Sequence, residues 1–200
     1  MDFRDLARLQ HARAHAASTA NAEISTQDNM LRDASEEQIR SRPRPGFNSM
    51  AWLLWHITRG EDAAANLVLS DGTQVLDDGW HEKLGVERRD FGASMPDDEV
   101  DAFNEAINVP ALLGYRDAVG RRTQELIRSL DTAVLDQPID ATILERLRNE
   151  GFVTERSSWL LDRWSTKTKD YVLAHTILAH SFVHLGQGDI NRSLFGLETS

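Results

Sequence analysis

The sequence predicts an all-α protein, a four-helix bundle with short extra helices and one long loop. Long stretches are rich in helix-forming residues, and apolar residues recur in them at helical spacing. No stretch has the alternating pattern of a β-strand, and no internal repeat is present. With 200 residues, 40% of them hydrophobic, the chain is expected to form a single helical domain over residues 1–200.

The first half is expected to contain two main helices. Residues 2–33 contain no Gly or Pro and favour one long helix. A capping-box pattern at 35–38 begins a short helical turn, and the prolines and glycine of 43–46 form a loop. The second main helix is expected over about 49–69, where the apolar residues form an i, i+3, i+4, i+7 stripe. His56 lies on that stripe and is therefore expected to be buried.

The second half is expected to contain the other two main helices. Glycines punctuate residues 71–95, which predicts a long irregular connection. A third main helix begins near Ser94 to Asp97 and continues through Leu130, with a restart or kink at Pro110. The remaining expected elements are a short helix over 141–150, a short helix and loop within 154–169, and a last main helix over about 169–187 that Gly186 and Gly188 end.

Composition excludes several classes of function. A net charge of −10 disfavours nucleic acid and anionic membranes as partners. The absence of cysteine excludes disulfides, thiolate metal sites and a cysteine nucleophile. The first residues contain no apolar signal segment, and no run approaches the roughly 20 apolar residues of a membrane-spanning helix. We therefore expect a cytoplasmic protein.

Three histidines carry the strongest chemical signal. His180 and His184 form an H-x-x-x-H pair, which a helix places on one face, and His56 lies far upstream in an otherwise apolar run. Taken singly, each is more often a structural residue than a ligand. On the inner faces of two main helices they support one another. Together they predict a divalent metal with three neutral ligands and open coordination positions.

The other histidines are interpreted without a metal. His175 precedes His180 by five residues, about 140° around an α-helix, and is expected off the ligand face. His11, His15 and His81 are expected at the surface or in loops. The sequence contains no H-E-x-x-H, di-iron Glu-x-x-His, nucleotide-binding loop or G-x-S-x-G motif.

Several other residues have two interpretations. Gln187 and Asn191 follow His184 closely enough for either side chain to orient an imidazole by a hydrogen bond. For Gln187 we favour the other interpretation, that its side chain only solvates the end of the helix. Arg59 and Asp62 either line the mouth of the site or, as we prefer, lie on an exposed helix face. The tryptophans either wall a ligand pocket or, as is commoner, belong to the core. These are Trp52, Trp55, Trp80, Trp159 and Trp164.

Two segments resemble the DinB/YfiT-like superfamily of helical-bundle metalloproteins. The first, residues 45–57, reads Pro-Gly-Phe-Asn-Ser-Met-Ala-Trp-Leu-Leu-Trp-His-Ile and is followed by Arg59, Glu61 and Asp62. The second, residues 180–187, reads His-Ser-Phe-Val-His-Leu-Gly-Gln and is similar to the family's terminal H-x-x-x-H-x-G-[EQ]. Their order and separation also fit, so the resemblance covers most of the chain.

The resemblance implies an up-down-down-up bundle with a metal held by His56, His180 and His184. Zinc or nickel is the metal that it implies first, with iron or manganese as alternatives. Several relatives are thiol S-transferases or isomerases that use mycothiol, bacillithiol or glutathione, and relatives often dimerise. A small-molecule substrate, a low-molecular-weight thiol and a second copy of the chain are therefore the partners to consider.

The function expected from these observations is that of a metal-dependent enzyme. A metal with three neutral ligands acidifies a thiol or water molecule, and a chain without cysteine must take the thiol from a cosubstrate. The leading hypothesis is transfer of a low-molecular-weight thiol to an electrophile, and hydrolysis of a small substrate by metal-activated water is the close variant. The alternative is a non-catalytic bundle that binds metal or a small molecule for sensing or stress response.

Overall fold

The computed structural model describes residues 1–20 and 22–198, and helices dominate this part of the chain. The α-helices are α1 (Phe3–Arg13), α2 (Ala17–Ala20), α3 (Thr26–Leu31), α4 (Glu36–Arg40), α5 (Met50–Asp62), α6 (Trp80–Lys83), α7 (Asp97–Ala106), α8 (Val109–Ser129), α9 (Ala141–Asn149), α10 (Trp159–Trp164), α11 (Lys169–Tyr171) and α12 (His180–Leu194). Two π-helices extend them, Ala63–Leu69 after α5 and Val172–Ala179 between α11 and α12. Short 3₁₀ helices lie at Val75–Asp77, Thr132–Val134 and Glu155–Ser157.

The long helices pack against one another, and the four-helix bundle itself stays a prediction. α5 packs against α8 and α12, while α1 packs against α8 and the π-helix that precedes α12. All thirteen residues of α5 are buried, which makes it the central helix. The all-α prediction is confirmed, and the described residues contain no β-strand. The up-down-down-up order of helix directions stays a prediction. Within the same residues, no helix is both long and apolar enough to cross a membrane.

The prediction of one helix over residues 2–33 is wrong, because side chains satisfy backbone groups that a continuous helix would use. The Ser25 hydroxyl donates to the His15 carbonyl at 2.6 Å and accepts from the Asp28 amide at 2.9 Å, which begins α3. The Asp28 carboxylate accepts from the Ala17 amide at 2.8 Å. The resulting break lets α3 pack across α12.

The last helix also differs from its predicted end, since α12 continues to Leu194. Gly188 lies inside the helix rather than beyond it, and a Cβ there would overlap the Met30 side chain of α3. This glycine serves close helix packing, not helix termination. The predicted restart at Pro110 is present: the Asn108 side chain accepts from the Ala111 amide and begins α8.

Candidate metal centre

His56 is fixed on α5 by contacts on two sides. Its Nδ1 donates to the Phe91 carbonyl oxygen at 2.6 Å, and the Trp52 ring stacks on the imidazole with centroids 4.7 Å apart. The side chain of Ser49 caps the helix by accepting from the Trp52 amide at 2.9 Å. Because the ring proton lies on Nδ1, the Nε2 of His56 carries a free lone pair.

His180 and His184 on α12 bring two further Nε2 atoms to the same point. The Nε2 of His180 lies 3.3 Å from that of His56 and 2.9 Å from that of His184. Four nitrogens around a zinc ion at 2.0–2.1 Å are about 3.3 Å apart, so this spacing suits a tetrahedral ion. The three predicted residues therefore come together in a group that can hold a metal ion. We call this group the three-histidine cluster.

Gln187 orients the His184 imidazole, one turn of helix away. The Nδ1 of His184 donates to the Gln187 Oε1 at 2.8 Å, which leaves its Nε2 unprotonated. The preferred interpretation of Gln187 as a residue that only solvates the helix end is therefore wrong. The side-chain amide of Asn191 instead donates to the Asn48 carbonyl at 2.8 Å.

Burial is the main cause of a lowered pKa at all three imidazoles. Repulsion from the neighbouring rings adds to it, so that the pKa of His180 falls to about 3 and that of His56 lies well below its ordinary value. Burial also lowers the pKa of His184, against the opposing hydrogen bond to Gln187. The cluster is therefore neutral at pH 7, the form in which imidazole binds metal.

A π-helical register brings His175 beside the cluster. The His180 amide donates to the His175 carbonyl, an i→i+5 bond that places the two residues nearly above one another. Their ring centroids lie 6.0 Å apart. His175 does not belong to the group that His56, His180 and His184 form. The α-helical angle predicted for His175 was wrong, however, because the helix is locally wider than an α-helix.

A cavity of about 260 Å³ adjoins the cluster. His56, His175 and His180 form part of its wall. Half of the remaining lining residues are aromatic: Phe91, Phe152, Trp159, Trp164 and Tyr171. Two of the five tryptophans thus line a pocket beside the candidate metal centre, and Trp52 supports His56, whereas Trp55 belongs to the core.

A second histidine cluster is present that was not predicted from the sequence. His11, His15 and Glu61 are all 0% exposed, so the prediction that both histidines lie at the surface or in loops is wrong. The Glu61 carboxylate lies 2.7 Å from the His11 Nε2 and 2.9 Å from the His15 Nε2. The two histidines have the same H-x-x-x-H spacing as the pair on α12, a signal that the sequence interpretation overlooked.

The ligand atoms of this second cluster are close enough together to hold an ion. The hydrogen bonds around His11, however, favour a proton on the nitrogen that would bind the ion. The Gln124 amide nitrogen donates to the His11 Nδ1 at 2.8 Å. Two hydrogen bonds with Arg8 fix the orientation of the Gln124 amide: its oxygen accepts from the Arg8 guanidinium, and its nitrogen donates to the Arg8 carbonyl. The proton of His11 is therefore on Nε2 and points at Glu61. The Arg116 guanidinium, 3.9 Å from the same carboxylate, supplies a positive charge already.

Charges in the second cluster follow from its burial. Burial and the charge of Arg116 lower the pKa of His15 to about 3, so this imidazole is neutral at pH 7. Burial alone would raise the pKa of Glu61, but the interactions with His15 and His11 hold it well below its ordinary value. We interpret the cluster as a buried ion pair, Glu61 with Arg116, to which both imidazoles donate.

Arg59 and Asp62 are 0% exposed, and the prediction that they lie on an exposed helix face is wrong. The Arg59 guanidinium lies 3.2 Å from the Asp62 carboxylate. The same carboxylate accepts from the Tyr115 hydroxyl at 2.6 Å and from the Val75 and Leu76 amides at 2.9 and 3.0 Å. These bonds anchor the connection after α5. Neither residue lines the cavity, so neither forms the mouth of the site.

Comparison with known proteins identifies the family. A profile of the DinB superfamily matches residues 21–187, most of the chain. The protein therefore belongs to the DinB superfamily. Its structure is similar to a conserved protein from Enterococcus faecalis, with a TM-score of 0.67, 19% sequence identity and 97% coverage of each chain. At that identity the likeness shows a shared fold alone. No curated protein matches the sequence.

Proposed function

We propose that the protein is a metal-dependent enzyme whose ion is held by His56, His180 and His184. One observation carries the proposal: three neutral imidazoles direct their Nε2 atoms to one point, 2.9 and 3.3 Å apart, at the wall of an aromatic cavity. Zinc and nickel suit an all-imidazole site and are proposed first, with iron and manganese as alternatives.

The proposed reaction is transfer of a low-molecular-weight thiol to a small electrophile. When bound, an ion with three neutral ligands lowers the pKa of a thiol or a water molecule. The chain has no cysteine, so the thiol must belong to a cosubstrate such as mycothiol, bacillithiol or glutathione. Hydrolysis of a small substrate is the close variant.

The protein's own groups prepare the site for this chemistry. The Phe91 carbonyl and the Gln187 side chain hold the protons of His56 and His184 on Nδ1, which keeps both Nε2 atoms available. The Trp52 ring restricts the rotation of His56. The aromatic side chains give an electrophile a largely apolar surface to pack against beside the cluster.

The test uses protein purified without a histidine tag, stripped with a chelator and reloaded with zinc or nickel. Consumption of each thiol is measured with a panel of electrophiles, for the parent, His184→Ala and His81→Ala. His81 lies outside both histidine clusters and serves as the matched control. We expect metal-dependent thiol consumption in the parent and in His81→Ala, and its loss in His184→Ala. Equal thiol consumption in all three, or metal binding without any turnover, would contradict the proposal.

A further inference from the structure

We infer that the cavity beside the three-histidine cluster binds a small, flat, apolar molecule that carries a carboxylate, and that Arg163 selects for this negative charge. The inference rests on the proposed function for the reaction, and it adds the chemical class of the electrophile. The size of the cavity, its aromatic walls and its charge support the inference.

Size and shape point to one or two rings. The cavity of about 260 Å³ is larger than the ~150 Å³ cavity that holds a benzene molecule, and it lies just below the ~300 Å³ at which drug-sized sites begin. The Phe91 and Phe152 rings stack with centroids 5.1 Å apart, and the Trp164 ring continues the stack 5.9 Å beyond Phe152. A lining that contains these rings favours an apolar ligand with a ring of its own, which can pack against their edges or free faces.

The charge of the lining is opposite to that of the chain. The sequence has 32 acidic residues and a net charge of −10, yet none of the described residues that line this cavity is acidic. Arg163 is the permanently charged residue in the lining. Close by, the Lys167 ammonium lies 5.3 Å from the centroid of the Tyr171 ring, which also lines the cavity. A carboxylate is favoured at such a rim and a cation is not.

Arg163 is available to bind an anion. Among the described residues, no carboxylate lies within 4.0 Å of its guanidinium, and its side chain is exposed. It acts electrostatically on His175, whose pKa is lowered by burial and further by this charge. His175 in turn lies beside His180. A ligand whose carboxylate binds Arg163 would therefore extend its apolar part along this wall toward the three-histidine cluster.

Cinnamate and its neutral amide, cinnamamide, are matched probes that differ in charge. Their affinities are measured by calorimetry on the zinc-loaded parent, Arg163→Gln, Arg163→Lys and Arg121→Gln. Arg121 is exposed and is not among the residues that line this cavity, so its variant controls for the loss of one charge. We expect Arg163→Gln to weaken cinnamate binding about fivefold, the upper range for a solvent-exposed ion pair, and to leave cinnamamide unchanged. Arg163→Lys and Arg121→Gln should retain most of the affinity.

Other outcomes would overturn the inference. One such outcome is that cinnamate still binds Arg163→Gln more tightly than cinnamamide does, and that this difference in affinity disappears when zinc is chelated. The carboxylate would then bind the metal instead of Arg163. Glutathione is titrated in parallel. If Arg163→Gln weakens the binding of glutathione and leaves the binding of cinnamate unchanged, Arg163 binds the thiol cosubstrate. If neither cinnamate nor cinnamamide binds the parent, the cavity takes another ligand. Zinc content and thiol consumption are measured on the same samples, so failure of the proposed function is seen separately.

Discussion

Replacing Glu61 by Ala tests whether the second histidine cluster stabilises the fold or binds an ion. The substitution leaves the Arg116 guanidinium buried without its anion and removes the acceptor of two imidazole N–H groups. All four side chains are 0% exposed in the parent, so bulk solvent does not screen the charge that is left. Breaking a buried ion pair in this way costs about 3–5 kcal/mol. We expect the free energy of unfolding to fall by about 4 kcal/mol, and Tm by roughly 8–16 °C for a chain of this size.

The assay is urea unfolding at pH 7.5, followed by tryptophan fluorescence, with metal content measured on the same samples. Glu145→Ala is the matched control, because Glu145 is exposed and forms no ion pair within the described residues; its effect should stay within about 0.5 kcal/mol. A loss below about 1 kcal/mol in Glu61→Ala would refute the buried ion-pair interpretation. Loss of a metal equivalent in that variant would show that the cluster is a metal site.

Three further predictions concern packing, pH and metal affinity. Gly188→Ala should lower the urea midpoint, because overpacking costs about 1–3 kcal/mol and the gain in helix propensity is at most about 1 kcal/mol; Gly186→Ala, in open space on the same helix, should raise the midpoint. His15→Gln should flatten the acid dependence of stability. The pKa of His15 is about 3 when folded and about 6.5 when unfolded, so the unfolded chain binds the extra proton between these pH values and the parent loses about 1.4 kcal/mol per pH unit on acidification. Gln187→Ala, which removes the acceptor of the His184 proton, should weaken zinc binding about 10- to 100-fold in competition with a chromophoric chelator.

Each of these has a plain contrary result. Equal midpoint shifts in the two glycine variants would show that the side chain beside Gly188 moves aside freely. Parallel pH profiles for the parent and His15→Gln would show that His15 has the same pKa in the folded and unfolded states. Unchanged zinc affinity in Gln187→Ala would show that His184 needs no orienting partner.

Periodicity located the candidate metal centre because its ligands lie on regular helical stripes. The apolar stripe of α5 placed His56 inward, and the spacing of His180 and His184 placed both on one face of α12. These inferences need only the local register of two helices. The close approach of the three Nε2 atoms in the structure follows from packing those two helices together.

Long-range partners explain what the sequence did not predict. Glu61 lies 46 residues or more along the chain from His15 and His11, so nothing local showed that these imidazoles have a buried acceptor. Arg59 and Asp62 have the composition of an exposed helix face, and only the connection folded over them makes that face buried. His175 lies nearly above His180 because the helix between them is a π-helix, whereas the predicted angle of about 140° assumed an α-helix.

Elemental analysis of the metal bound per chain tests the central claim most directly. It is made on protein purified without a histidine tag, for the parent, His56→Ala and Glu61→Ala. We expect one equivalent of a transition metal in the parent, none in His56→Ala and one in Glu61→Ala. Metal retained in His56→Ala, or no metal in the parent even after reconstitution with zinc or nickel, would contradict the claim.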